Sequence, residues 1–135
     1  MGIGKITLYC LVFLLFLGCR SSLQEIKSTK QHWCLTDKGI YGINYHFTFK
    51  AFKDYKELKL DSIFIHNKWI NNFHYSVLGK SNTEQNFTKG DTILISLNIL
   101  DTLKSESKII ITYTTGKRNH KVFINKLISL KNLCP

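Results

Sequence analysis

The sequence predicts an all-β domain, an antiparallel β-sandwich of six to seven strands. Three observations carry this expectation. From Ile40 onward apolar residues recur with a period of two rather than 3.6, the spacing of side chains along one face of a strand. Short polar turns separate these runs, the rhythm of a small sandwich. No amphipathic helix and no internal repeat interrupts them, and 135 residues with a single proline leave room for one small domain.

Taken in order, Tyr41, Ile43, Tyr45, Phe47, Phe49 and Ala51 alternate with Gly42, Asn44, His46, Thr48 and Lys50. This is a long strand with one apolar and one polar face. Lys53-Asp54-Tyr55-Lys56-Glu57 reads as a charged turn. Residues 58–66 and 69–78 read as a hairpin around Asn67-Lys68, since two-residue loops are common hairpin connections. Pairing His66 with Trp69 gathers Leu58, Leu60, Phe64, Trp69, Phe73, Tyr75 and Val77 on one face and sets His74 opposite Asp61 on the other. A polar loop over 79–91 ends in Lys89-Gly90-Asp91, and residues 92–100 then put Ile93, Ile95, Leu97 and Ile99 on one face. After polar residues 101–107, strands over 108–115 and 120–130 are joined by Thr115-Gly116-Lys117-Arg118-Asn119. A seventh strand around Trp33 would anchor the amino-terminal segment onto the core.

Residues 1–18 are of another kind. They hold 13 apolar residues, one basic residue (Lys5) and no acid. The apolar run is too short for the roughly 20 residues that span a bilayer, but it fits the hydrophobic region of an export signal. It ends in Phe16-Leu17-Gly18-Cys19, which resembles a bacterial lipobox, although the residue three before the cysteine is usually Leu and the next is usually small. In that family the cysteine becomes the first mature residue, its thiol receives a diacylglycerol, and the new amino terminus is acylated with chains such as palmitate. The resemblance implies a lipoprotein of the bacterial cell envelope, anchored through Cys19 in the outer membrane and facing the periplasm or the surface. The bland alternative is an ordinary signal peptide. Residues 19–31 are polar and aperiodic and read as a flexible tether, leaving residues 32–135 as the sandwich domain.

Cys10 would leave with the signal, and Cys34 and Cys134 remain near the two ends of the domain. Two leftover thiols in an oxidising compartment are expected to pair, the alternative being two buried free thiols. In overall pattern the domain resembles the small immunoglobulin-like or transthyretin-like sandwiches of bacterial lipoproteins, through strand rhythm and the segments Leu60-Asp61-Ser62-Ile63 and Lys89-Gly90-Asp91-Thr92-Ile93. That resemblance supplies no catalytic residue.

Chemistry-bearing patterns are sparse. The histidines (His32, His46, His66, His74, His120) have neither HExxH nor HxH spacing, and no CxxC occurs, so no metal and no cofactor is expected. No nucleophile elbow surrounds Ser62 or Ser76, and the His74–Asp61 pair is more in keeping with a surface contact than with catalysis. Lys50, Lys53, Lys56 and Lys59 cluster at one turn and Lys117, Arg118, His120 and Lys121 at another. Yet 17 of the 19 basic residues are Lys, which suits a solvated surface, or attraction to anionic headgroups or an acidic partner, better than base recognition, so no nucleic-acid partner is expected. Asp61-Ser62-Ile63, Asp91-Thr92-Ile93 and Asp101-Thr102-Leu103 look like the O-glycosylation sites of some Bacteroidota, at Ser62, Thr92 and Thr102; Asn86-Phe87-Thr88 is a formal N-glycosylation sequon. The function classes left are a non-enzymatic, membrane-tethered module that binds an envelope protein or glycan, and an inhibitor or immunity-type lipoprotein that blocks a protein ligand. An envelope hydrolase would need a site assembled only by the fold.

Overall fold

The computed structural model describes residues 23–54, 58–81, 87–100 and 108–134, together with Gly4. They form an all-β sandwich whose strands are β1 (Leu23–Leu35), β2 (Ile40–Ala51), β3 (Leu58–Ile65), β4 (Lys68–Ile70), β5 (His74–Val77), β6 (Thr92–Leu100), β7 (Ile110–Thr115), β8 (Arg118–Phe123) and β9 (Leu127–Ser129). One sheet has the order β5-β6-β2-β1-β9 and the other β4-β3-β7-β8. Every pairing is antiparallel except that of β9 with β1. The expected fold class is present, with nine strands among the described residues where six or seven were expected.

The alternation along β2 and β6 is in the core as expected. Ile43, Tyr45, Phe47, Phe49 and Ala51 are buried, as are Ile93, Ile95 and Leu97 beside them. From the opposing sheet Leu58, Leu60, Ile63, Ile65, Ile111 and Tyr113 close the layer.

Four expectations are corrected. First, the tether over residues 19–31 is folded from Leu23: β1 pairs with β2 from Leu23↔Ala51 to Leu35↔Ile40. Its positions opposite the inward side of β2 carry Glu25, Ser28, Lys30 and His32, so the strand lacks an apolar period and is held by its backbone ladder. A bulge between Glu25 and Lys27 turns Ile26 out into solvent. Second, the hairpin turn is His66-Asn67 and not Asn67-Lys68, because both of those residues adopt positive φ (51° and 61°), as a type I′ connection requires. Third, the expected strand 69–78 breaks at Asn71-Asn72 and changes sheets, so β4 pairs with β3 while β5 pairs with β6. The strand expected over 120–130 breaks likewise, with β8 in one sheet and β9 in the other. Fourth, Trp33 does not enter the core. It lies opposite Gly42 on the outer face, where a Cβ at Gly42 would sit 2.7 Å from Trp33 Cζ2 and 2.8 Å from the Ile99 carbonyl oxygen. Only glycine admits the indole there, and the Trp33 Nε1–H donates to Asn98 Oδ1 at 3.1 Å.

The two ends of the sandwich differ. At one end β1 begins against the end of β2, and the Lys89-Gly90-Asp91 turn binds the same place, Gly90 N–H donating to the Ala51 carbonyl at 2.8 Å and Ala51 N–H to the Asp91 carbonyl at 2.9 Å. The Lys89 N–H reaches Asp54 Oδ1 at 2.7 Å, tying in the start of the charged turn. In the second sheet β3 starts at this end. Just past its far end, the turn residue His66 shares a 2.9 Å hydrogen bond with the hydroxyl of Tyr45, six residues up β2 from Ala51. The Gly116-Lys117 hairpin, beside Leu58 through Leu58↔Thr115, therefore belongs to the same end.

At the other end Cys34 and Cys134 form the expected disulfide, with Cα atoms 5.0 Å apart. The bridge spans 100 residues of sequence, and Leu133 N–H donating to the His32 carbonyl at 2.9 Å lays the last residues beside β1. A loop of that length is worth about 4–5 kcal/mol in the chain-entropy account. Cys34→Ser and Cys134→Ser should each lower stability by about 2–5 kcal/mol, as should reductant on the unmutated protein; matched denaturant midpoints with and without reductant check this.

Candidate ligand-binding face

The outer face of the four-stranded sheet carries the chain's most distinctive surface. Its position follows from an irregularity in β3. Leu58 and Leu60 point inward, but the register shifts between Leu60 and Ser62, so Asp61 is the extra residue and Ile63 and Ile65 become the inward pair. Ser62 and Phe64 are thereby turned outward. Unbroken alternation would have buried Phe64, as the sequence reading expected.

Beyond the bulge one apolar row crosses all four strands: Trp69 opposite Phe64, Phe64 opposite Ile110, and Ile110 opposite Phe123. Three strand spacings make it roughly 14 Å long. The Phe64 and Trp69 rings are tilted with centroids 5.0 Å apart, and Lys108 Nζ lies 5.4 Å from the Phe123 ring centroid. Ile110 is buried yet stands apart from the central core, consistent with cover from this outer row. Trp69 remains 52% exposed and Phe123 50% exposed. The next row is polar: Ser62 opposite Thr112, and Thr112 opposite Lys121. Beyond it Thr114 stands opposite Asn119 and donates its hydroxyl to the bulged Asp61 carboxylate. A shallow depression of about 450 Å³ connects Trp69 with Asp61, Ser62, Thr112, Asn119 and Lys121.

Such a surface offers the exposed ring of Trp69 beside carboxylate, hydroxyl, amide and ammonium groups. It can stack an apolar ring face and hydrogen-bond the groups at that ring's edge. A larger cleft, about 800 Å³, follows the seam between β1 and the β8–β9 crossover. Of its polar groups Glu25 is already engaged, accepting the Ser28 hydroxyl at 2.8 Å and the Asn125 N–H at 3.0 Å. We read that cleft as packing between the sheets.

The residues singled out from sequence are distributed as follows. Cys19, Thr102 and Asn86 lie outside the described residues, and so does Lys56. Ser62 is half-buried, its hydroxyl 2.7 Å from that of Thr112, and it therefore belongs to the candidate face. Thr92 is half-buried at the start of β6 opposite Lys50. His74 and Asp61 are not neighbours: His74 pairs with Ser96 in the other sheet, which removes the cross-strand pair expected from the hairpin register. Sequence reasoning missed Phe64, Ile110 and Phe123 as a row; the excess of large side chains on both faces of the 58–66 strand was the available sign. Among the described residues no group of three or more His, Cys, Asp or Glu could hold a metal ion, and no helix is long and apolar enough to cross a membrane. The chain matches no known protein family and no curated protein.

Asp91, just before Thr92 at the start of β6, is a structural hub. It bonds Lys80 Nζ at 2.7 Å and accepts the Thr88 N–H at 2.8 Å. Burial raises its carboxyl pKa, but the Lys80 ammonium and the Thr88 N–H outweigh burial and hold it below the ordinary carboxylate value. A lowered folded-state pKa stabilises above the unfolded value of about 3.9 and loses that contribution as pH falls through the folded one. Asp91→Asn should cost about 1 kcal/mol or less at neutral pH and nothing in acid; stability measured against pH should show the two proteins converging below about pH 4.

Proposed function

We propose that this protein is a membrane-anchored, non-enzymatic binding module of a bacterial envelope, and that its ligand is a glycan held on the Trp69 face. The observation that carries the ligand class is the half-exposed Trp69 at one end of an apolar row, flanked by Asp61, Ser62, Asn119 and Lys121. A sugar ring presents CH groups to an aromatic face while its hydroxyls reach for neighbouring donors and acceptors, and this surface supplies both. The flatness of a sheet suits a binding platform better than a water-excluding reaction pocket. Anchoring is supported by the signal-like segment ending in Gly18-Cys19.

Two measurements test the reading. Screened against immobilised envelope polysaccharides, the intact protein should bind at least one, and Trp69→Ala should weaken that binding by roughly tenfold or more, the loss of about 1–3 kcal/mol expected for a central aromatic contact. Retained binding in Trp69→Ala removes the face from consideration, and capture of a protein with no polysaccharide bound favours the inhibitor-type alternative. Separately, Cys19→Ala should release the protein from membranes and abolish labelling by a fatty-acid probe; unchanged membrane association defeats the anchor.

A further inference from the structure

The cations are unevenly placed once the strands are assembled. The end at which β1 begins gathers Lys50, Lys53, Lys89, Lys117 and Arg118, all exposed, from three turns and the strand ends beside them, far apart in sequence. The described acids of these loops are already engaged, Asp54 by the Lys89 N–H and Asp91 by Lys80. The opposite end holds the disulfide and the 3-10 turn and carries Lys38, which stands beside Asp37, and Lys131, near the bridge.

This basic end is also the end at which the chain enters the domain from Cys19. Only residues 20–22 separate Cys19 from Leu23, and four residue steps reach at most about 14 Å even when fully extended. A cysteine whose acyl chains lie in the bilayer therefore holds the start of β1 within that distance of the lipid surface. The nearest protein surface is then the lysine-bearing end, and it stands within the range over which headgroup charge acts.

We propose that the Lys53, Lys89, Lys117 and Arg118 end docks on the anionic phospholipid headgroups of the membrane that holds the anchor, so that the domain stands on this end with the disulfide pointing away. The proposal rests on the lipoprotein reading of Cys19. A lipid chain supplies attachment and the basic patch supplies a second, electrostatic signal that also sets orientation. Each lysine brought to an anionic surface strengthens association roughly fivefold.

The test uses the native full chain, purified in detergent and reconstituted into vesicles of phosphatidylcholine alone or of phosphatidylcholine with phosphatidylglycerol. Intact mass first establishes whether Cys19 carries the lipid. Amine acetylation, read by peptide mass, should then proceed at least about fivefold more slowly at Lys53, Lys89 and Lys117 in the anionic vesicles than in the neutral ones. Lys38 and Lys131 should label equally in both, and high salt should remove the difference. Combined Lys53→Glu, Lys89→Glu and Lys117→Glu should abolish salt-sensitive protection at the remaining Lys50, whereas the Lys→Arg variants should retain it, with circular dichroism confirming that both sets fold. Equal labelling of the two ends in both vesicle types, on protein shown by mass to be lipidated, overturns the docking and leaves the anchor standing; the charged end would then serve an acidic macromolecule in solution. Absence of lipid from the mature protein overturns both.

Discussion

The alternation along β2 is the constraint to which every other element answers. Its inner side chains, Ile43 to Ala51, form the floor of the core, and each takes its place only if both edges of the strand are paired. One edge receives β6, which brings its own apolar face. The other receives β1, which has almost none. A strand carrying Glu25, Ser28, Lys30 and His32 toward the inner side would have little reason to order alone. It does so because β2 offers a continuous row of backbone donors and acceptors, and because Glu25 and Ser28 satisfy each other. Polar residues can thus build a long strand when the neighbour supplies the hydrophobic term.

That dependence explains how much of the fold was legible. Where a strand brings its own alternating burial, as in 41–51 and 92–100, period two was enough to read it. β1 was invisible because its order is borrowed. The region after Leu58 was misread for a different reason: one extra residue at Asp61 inverts the phase, so Leu60 and Ile63 share a face although three positions separate them. A bulge leaves no local mark beyond an excess of large residues on both faces. The turn was displaced because His66 adopts a left-handed conformation, a role for which Asn is the readier candidate. The candidate site shared these blind spots. Its row takes one residue from each of four strands, and the alignment of Trp69, Phe64, Ile110 and Phe123 exists only once three registers are set.

Binding face and charged end use different parts of the architecture. The aromatic row lies on the flank of the sandwich and is held by strand pairing on a rigid sheet, so its geometry is set before any ligand arrives. The lysines sit on loops, which the Asp54–Lys89 and Asp91–Lys80 contacts hold against the end of β2. A preformed aromatic row suits directional recognition, whereas a cluster of long cationic side chains needs no fixed geometry to meet a layer of negative charge. The two surfaces can therefore act independently.

The parallel seat of β9 on β1, closed by the Cys34–Cys134 bridge, has a consequence for the order in which the molecule is assembled. β1 precedes β9 in the chain, so one of its edges stays open until residues 127–134 follow. Throughout that interval the newborn chain displays a row of unsatisfied donors and acceptors on a largely polar strand. The polarity that hides β1 from a pattern search is thus also protective: an open edge bearing Lys27, Lys30 and Gln31 is a poor template for a neighbouring copy. Residues 127–134 then act as a bolt, shutting part of that edge from the side once they are in place, and the Cys34–Cys134 bridge makes the closure lasting.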